Sequence, residues 1–297
     1  LDSMKNNIND KERIDLISFP TNKPHVSYSE IRLWKECPWR HKLTYIDKIV
    51  KDDPSPYLSY GTALHDGIEN LLKTKTMDVQ AVLNKITEAW EEKGFDSDEW
   101  IKSQADYRKS QGWKPKSHDY LPSWLEWAKN SLEELPAFLD SEFDEWSVIS
   151  AEEQLYEFVD GYDIFFKGFI DACLKVKIKG KEFYYVIDWK TAGDKGWYAS
   201  KRRDILTWAQ IALYKSFWMK KNGFDTKQVK CGFVLLKRGG KPGNTCELVK
   251  VSVGPKAEEN ALSIMRSMVK SVRRGIYLKN RQSCLFCEFK GTTNCPG

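Results

Sequence analysis

The sequence predicts an α/β fold in which a mixed central sheet is flanked by helices. Two observations predict it. Between about Val79 and Trp146 the apolar residues recur at helical spacing, whereas after Ser150 they alternate or run continuously, as they do in strands. Amphipathic helix patterns also precede and follow this strand region, so helices are available to cover the sheet.

Length and composition restrict the class of protein. With 297 residues, of which 41% are hydrophobic, the chain can bury one large domain with an insertion, or two smaller domains. No apolar run approaches the roughly 20 residues that a membrane-spanning helix needs, and no signal-peptide pattern opens the sequence. We therefore expect a cytoplasmic protein with no membrane partner.

The charge of the chain is mildly basic and unevenly placed. The formal net charge is +5, which by itself decides nothing about partners. Lys and Arg residues gather in runs, one of which is Lys201 to Arg203. Each run predicts either a solvated face or a contact with nucleic acid.

A capping pattern opens the first helix. Residues 1–26 are polar and predict a flexible N-terminal segment. Ser27 and Glu30 have the spacing of a capping box, so a helix begins there and continues to Cys37. Pro38 then interrupts the helix.

A second helix pattern and a helical insertion follow. The second helix begins near Tyr60 and carries His65, so residues 27–78 hold the N-terminal helices of the main domain. Residues 79–147 predict a helical insertion that is rich in Trp. Its Trp residues include Trp90, Trp100, Trp113, Trp124, Trp127 and Trp146. Aromatic residues at helical spacing are typical of a core, and the alternative is that one or two of them stack on unpaired bases.

The strand region and its helices make up the rest of the main domain, at residues 148–280. Strands are predicted at 155–159, 164–170, 174–178, 183–187, 229–236 and 247–253. A helix is predicted at 205–219. A final helix is predicted to turn Met265, Met268, Val269, Val272 and Ile276 inward.

Asp188 and Lys190 stand two residues apart at the end of an apolar strand, so their side chains project to the same face. An Asp-x-Lys triplet arises by chance about once in a chain of this length and by itself predicts only a surface ion pair. Asp171 ends the preceding strand, and a meander would place it beside Asp188. Two such carboxylates are typical of a Mg²⁺ or Mn²⁺ site, because the cation keeps both ionised.

Three further positions are weaker candidates. His65 on its helix is more often a satisfied polar residue than a ligand. Either Glu152 or Glu153 begins the strand region, and each is compatible with ordinary surface charge. Gln210 and Tyr214 are four residues apart on a helix and therefore share one face.

Cysteines cluster near the C-terminus. Cys284, Cys287 and Cys295 fall within residues 281–297, and Cys37 stands near the start. Four thiolates fit either tetrahedral Zn²⁺ or a [4Fe–4S] cluster, and the alternative is a group of free thiols.

The ordered motifs resemble those of RecB-type nucleases in the PD-(D/E)XK superfamily. The motifs are Gly61-x-x-x-His65, Glu153, Gly168-x-x-Asp171, Asp188-x-Lys190 and Gln210-x-x-x-Tyr214. The four cysteines resemble those of the iron–sulfur subgroup, which includes AddB nuclease domains and CRISPR-associated RecB-like exonucleases. The resemblance extends over about residues 27–297, except for the Trp-rich segment.

The resemblance implies a restriction-endonuclease-like fold and a role for each motif residue. It implies metal ligands at His65, Asp171, Asp188 and the backbone carbonyl of Trp189, a catalytic Lys190 and an accessory acid at Glu153. Substrate contacts are implied for Gln210 and Tyr214, and we add the basic Arg202 and Arg203. The cysteines Cys37, Cys284, Cys287 and Cys295 would hold a [4Fe–4S] cluster, with structural Zn²⁺ as the alternative.

The expected activity is metal-dependent hydrolysis of DNA by an exonuclease, with endonuclease activity as a further possibility. We expect single-stranded DNA or DNA with free ends as the partner, in recombination, repair, or CRISPR or phage DNA processing. The setting would be a bacterial, archaeal or phage-infected cell, and the chain would work alone, as an oligomer or within a larger complex. The alternative is a nucleic-acid-binding or adaptor protein that keeps the nuclease fold without cleaving.

Overall fold

The computed structural model describes residues 19–49, 55–110, 112 and 120–296. These residues form two compact units. The first comprises residues 19–49, 154–169 and 255–296, and the second comprises residues 55–110, 112, 120–153 and 170–254. Within the described part of the chain, no helix combines the length and the apolar character needed to cross a membrane.

The sheet is mixed, as the sequence predicts. Its strands are β1 (His25–Ser27), β2 (Glu145–Phe158), β3 (Phe165–Ile178), β4 (Lys181–Ala192), β5 (Val229–Lys237) and β6 (Cys246–Val251). In the second unit β4 pairs antiparallel with β3 and parallel with β5, and β6 pairs antiparallel with β5. In the first unit β1 pairs in parallel with the start of β3. Strand β2 also pairs with β3.

Helices surround these strands in the chain order that the patterns indicate. The α-helices are α1 (Tyr28–Glu36), α2 (Pro38–His41), α3 (Pro56–Thr74), α4 (Val79–Lys93), α5 (Asp98–Ser110), α6 (Leu121–Glu142), α7 (Ala199–Arg203), α8 (Ile205–Asn222) and α9 (Pro255–Arg273). A π-helical turn at Lys42–Ile46 follows α2, and a 3₁₀ helix at Arg281–Phe286 follows α9.

The first helix begins where the capping pattern places it, but the cap is only half of a capping box. The Ser27 side chain accepts a hydrogen bond from the backbone N–H of Glu30 at 3.3 Å. The Glu30 carboxylate turns inward instead of back toward Ser27, and it lies 2.9 Å from Nε2 of His41. Both Glu30 and His41 are buried, and this contact gives the Glu30 carboxylate a polar partner inside the protein.

The Trp-rich segment forms core in the second unit, as the sequence predicts for most of its aromatic residues. Trp90 and Trp124 are almost fully buried, and their ring centroids lie 4.9 Å apart. Tyr60 of α3 meets Trp124 edge-on at 5.0 Å, and Leu64, one turn later, belongs to the same apolar cluster. Helix α3 is therefore fixed by the insertion that follows it. Trp113 lies outside the described residues.

Several predicted boundaries need correction. The strands expected at 164–170 and 174–178 form one continuous strand, β3. The middle of β3 is buried on both faces, so its residues lack the alternation of apolar and polar side chains by which a strand is recognised in the sequence. Strand β2 begins at Glu145, before the position where the strand pattern was predicted to start. Ile276 was predicted to point inward, but α9 ends at Arg273 and Ile276 is 42% exposed.

The expected flexible segment at residues 1–26 falls mainly outside the described residues. Its described part, from residue 19, includes Phe19 and Thr21, which are both buried, and β1 begins at His25.

Candidate active site and cysteine region

The candidate site is built on strand β4 in the second unit. Asp188 and Lys190 project to the same side, and the Lys190 Nζ lies 2.6 Å from Oδ2 of Asp188. Asp188 is only 2% exposed, whereas about a third of the Lys190 side chain reaches solvent. The acid is thus set at the floor of the site and the ammonium group at its opening.

Strand β3 brings Asp171 to the same place. Ala172 pairs with Ile187 in the antiparallel register, so Asp171 and Asp188 lie just beyond this pair. The Oδ2 of Asp171 accepts the backbone N–H of Trp189 at 2.7 Å. Asp171 is buried, and burial followed by repulsion from Asp188 raises its pKa well above the usual value.

Helix α3 adds His65 to these strands. Its Nε2 donates to the backbone carbonyl of Trp189 at 3.0 Å, which leaves Nδ1 facing Oδ2 of Asp171 at 3.5 Å. Burial lowers the pKa of His65, so the imidazole is neutral at neutral pH and its Nδ1 keeps a lone pair. The Trp189 carbonyl, which the resemblance makes a ligand, here orients the histidine ring.

The acid of strand β2 that lies beside His65 and Asp171 is Glu152, not Glu153. One oxygen of Glu152, one nitrogen of His65 and one oxygen of Asp171 all lie within 4.8 Å of one another. Glu153 instead accepts hydrogen bonds from Ser150 and Trp218 and pairs with Lys221 at 2.6 Å.

The backbone conformation of β2 explains why Glu152, and not Glu153, lies beside His65 and Asp171. Glu152 has a φ of 50°, a left-handed conformation that is rare for a residue with a side chain and that interrupts the two-residue alternation of β2. Burial, followed by repulsion from Glu69, raises the pKa of Glu152. Glu69 lies one helical turn beyond His65 and was not identified from the sequence, although its i, i+4 spacing from His65 was visible there.

Gln210 and Tyr214 of α8 support Asp188. The Gln210 Nε2 donates to Oδ1 of Asp188 at 2.9 Å and lies 3.4 Å from the Tyr214 hydroxyl. Tyr214 is buried and lies next to Gln210, which in turn contacts Asp188. Both residues therefore fix the orientation of the Asp188 carboxylate.

The basic residues Arg202 and Arg203 differ in their surroundings. The Arg202 side chain donates to the backbone carbonyl of Trp197 at 2.8 Å and pairs with Glu247 at 2.5 Å. Arg203 is exposed at the end of α7. Both arginines are exposed, and they differ in that Arg202 pairs with Glu247.

The donor set fits a divalent cation. The carboxylates of Glu152 and Asp171 converge with His65, Asp188 pairs with Lys190, and burial raises the pKa of Glu152 and Asp171. Oδ2 of Asp188 is buried and faces the Lys190 ammonium group at 2.6 Å. Carboxylate oxygens and a neutral imidazole are suitable ligands for Mg²⁺ or Mn²⁺, and a cation would offset the repulsion between the acids.

The cysteine-bearing segments meet within the first unit. The backbone N–H of Asn280 donates to the sulfur of Cys37 at 3.4 Å, and the Asn280 side chain donates to the carbonyl of Glu36 at 2.8 Å. The Trp39 indole donates to the carbonyl of Asn294 at 3.1 Å. Cys37 is buried, whereas Cys284, Cys287 and Cys295 are partly buried, and all four are free thiols.

Comparison with known proteins identifies a family and shows a likeness of fold. The sequence matches the family model of the PD-(D/E)XK nuclease superfamily over residues 25–292. Among curated proteins, none matches the sequence significantly. A crystal structure from Eubacterium rectale, of a protein described as a candidate exonuclease, matches with a TM-score of 0.51 at 9% identity, over 97% of this chain and 91% of that chain. At this identity the match shows likeness of fold alone.

Proposed function

The chain belongs to the PD-(D/E)XK nuclease superfamily, and from this premise we propose that it is a metal-dependent exonuclease acting on the ends of single-stranded DNA. The observation that carries the proposal is the convergence of His65, Glu152 and Asp171 within 4.8 Å, beside the Asp188–Lys190 pair. The family supports phosphodiester hydrolysis, and the description of the structural neighbour supports an exonuclease.

We assign His65, Glu152, Asp171 and Asp188 as the residues that hold Mg²⁺ or Mn²⁺. When bound, such a cation would supply Lewis acid chemistry to the scissile phosphate and lower the pKa of water. This assignment replaces Glu153 by Glu152 as the accessory acid. Glu153 already has three polar partners, one of which is the ammonium group of Lys221, so it has little capacity left for a cation.

The residues of the chain have separate tasks in this mechanism. Lys190, with its ammonium group beside Asp188 and at the opening of the site, orients the attacking water and stabilises negative charge on the phosphate oxygens. Gln210 donates a hydrogen bond to the other Asp188 oxygen, Oδ1, and the Tyr214 hydroxyl lies beside the same amide group of Gln210. The hydrogen bond from His65 to the Trp189 carbonyl keeps the imidazole in the tautomer that faces Asp171.

An end-labelled strand tests the activity and its polarity. We expect the protein with Mn²⁺ to shorten linear single-stranded DNA progressively from one end, and EDTA to stop the reaction because the acids then have no cation. Circular single-stranded DNA of the same sequence is the matched substrate without ends. Cleavage of the circle at the same rate would make the enzyme an endonuclease, and no cleavage of either substrate would favour the non-cleaving alternative.

We also propose that Cys37, Cys284, Cys287 and Cys295 hold a [4Fe–4S] cluster. The support is the contact between the two segments that carry them and the N–H group that Asn280 directs at the Cys37 sulfur. The resemblance to the iron–sulfur subgroup favours the cluster, and structural Zn²⁺, which four thiolates also fit, is the alternative.

Anaerobically purified protein should be brown, with a visible absorption band that bleaches on reduction. Cys284→Ser should remove the colour and lower the melting temperature, because the cluster links distant parts of the first unit. Cys246→Ser is the control: Cys246 is buried in the second unit beside the Ser131 carbonyl, where a hydroxyl can form the same hydrogen bond. Colourless wild-type protein containing stoichiometric zinc would contradict the cluster.

The biological setting is part of the same proposal. The seven cysteines are free thiols, which fits the reducing cytoplasm of a bacterial, archaeal or phage-infected cell. The resemblance to RecB-type nucleases points to recombination, repair, or CRISPR or phage DNA processing, with a partner complex or an oligomer as the working form. Purification of the tagged protein from such a cell, followed by sizing with and without nuclease treatment, tests both forms.

A further inference from the structure

The segment that follows catalytic strand β4 presents an aromatic side chain to solvent. Tyr198 is 74% exposed, more than any other aromatic side chain among the described residues. It lies eight residues beyond Lys190, at the residue that precedes helix α7. A single exposed aromatic ring is ordinary on a protein surface, so what Tyr198 can bind depends on the residues around it.

The residues on either side of Tyr198 are held firmly. The Trp197 ring packs against Phe233 of β5, with centroids 5.0 Å apart. Gly196 has a φ of 68° and lies so close to Glu247 that a Cβ there would meet the carboxylate at 2.5 Å. Arg202 binds both the Trp197 carbonyl and Glu247. The Tyr198 ring is therefore displayed from an anchored backbone, which lowers the entropy lost when it binds a partner.

The charges around Tyr198 favour an anion. Residues 194–204 contain four basic and two acidic side chains, a net charge of +2. Of the acids, Asp204 is engaged at the start of α8, where it accepts the N–H groups of Leu206 and Thr207. Lys195 and Arg203 are exposed and form no ion pair with any residue that the structure describes.

The sequence separation sets an upper limit on the distance from Tyr198 to the candidate active site. The eight residues from Lys190 to Tyr198 span at most about 28 Å when fully extended. The first part of this path is fixed, because the carbonyl of Ala192 accepts the N–H of Arg238 at 2.9 Å. A strand of nucleic acid whose scissile phosphate lies at Lys190 is therefore long enough to reach Tyr198 with a nucleotide only a few positions away.

We propose that Tyr198, flanked by Lys195 and Arg203, is a stacking platform for an unpaired nucleotide of the substrate strand. This inference rests on the proposed nuclease function and adds the contact that selects single strands. An unpaired base offers a free face to an aromatic ring, whereas the faces of paired bases are covered by their neighbours in a duplex. The two cations bind the adjacent phosphates without regard to sequence.

Binding to fluorescent oligodeoxythymidine tests the platform in a protein that does not cleave. In an Asp188→Asn background, Tyr198→Ala should raise the dissociation constant about ten-fold, whereas Tyr198→Phe should change it less than about two-fold, because the ring stacks without its hydroxyl. Tyr120→Ala removes a tyrosine that is 51% exposed elsewhere in the second unit and is the matched control. Lys195→Gln and Arg203→Gln should each lower the salt dependence of log Kd by about 0.7 to 1.

Three results would overturn the platform: equal binding by Tyr198→Ala and its parent, an equal loss with Tyr120→Ala, or an equal loss with blunt duplex DNA. A parallel loss on oligouridine would support it and extend it to RNA strands.

Hydrolysis of bis(4-nitrophenyl) phosphate by the wild-type protein with Mn²⁺ separates the two claims, since this diester has no base to stack. No hydrolysis would defeat the proposed function, and hydrolysis without an effect of Tyr198→Ala on binding would defeat the platform alone.

Discussion

Asp188→Asn and Lys190→Ala should each lower the rate of DNA hydrolysis by about a thousand-fold or more, with the fold retained. Asp188→Asn preserves the shape and the hydrogen bond from Gln210, but it removes the charge that holds the cation and the ammonium group. The same change removes a repulsion with Asp171, so we expect no loss of stability in metal-free protein.

The rate of DNA hydrolysis with saturating Mn²⁺ and the melting temperature, measured on the same preparations, check this expectation. Lys175→Ala is the control for Lys190, because Lys175 is also a strand lysine paired with an acid, Glu182, at 2.9 Å, but on an exposed surface. Wild-type rates in Asp188→Asn or Lys190→Ala would remove these residues from the mechanism. Loss of activity in Lys175→Ala as well would show that the effect is not specific to the site.

Glu152→Gln should lower Mn²⁺-dependent activity by about 100-fold or more, whereas Glu153→Gln should leave most of it. The reason is that only Glu152 directs its carboxylate toward His65 and Asp171. Glu153→Gln breaks the ion pair with Lys221 and should instead cost about 1 kcal/mol of unfolding free energy. These adjacent, isosteric changes are each other's control.

The decisive measurement is activity as a function of Mn²⁺ concentration, together with urea unfolding of both variants. Excess Mn²⁺ should restore part of the activity of Glu152→Gln, because the lost carboxylate weakens cation binding. A larger activity loss in Glu153→Gln than in Glu152→Gln would mean that the accessory acid is the one favoured by the sequence motif.

The part of the site that depends on local geometry was predictable from the sequence. Asp188 and Lys190 share a face because alternate residues of any strand do, and the structure joins them by an ion pair. Asp171 required one additional assumption, that consecutive strands pair, and β3 and β4 do pair. Gly61 and His65 lie on one helix, as their four-residue spacing indicates.

The choice between Glu152 and Glu153 was not predictable, because it depends on one backbone angle. Alternation along a regular strand assigns adjacent residues to opposite faces, but the left-handed φ of Glu152 interrupts this alternation partway along β2. The sequence offers no glycine or asparagine there to indicate such a conformation.

Burial also limited what helical spacing could show. The i, i+4 relation of Gln210 and Tyr214 correctly places them on one face of α8, but the substrate contact expected of them came from the resemblance and stays a prediction. Helix α8 is buried nearly all around, however, so Tyr214 lies within the protein. The same difficulty hid the continuity of β3, whose two buried faces remove the polar residues that mark alternation.

Helix α3 carries His65 on one side while Tyr60 and Leu64 lie among the tryptophans of the insertion. Sheet residues such as Leu174 and Ile187 belong to the same apolar cluster, so the insertion, helix α3 and the strands share one core. Exchanging the insertion between homologues is therefore expected to move His65, and heat that loosens the aromatic cluster is expected to disturb the strands that carry Asp171 and Asp188 as well.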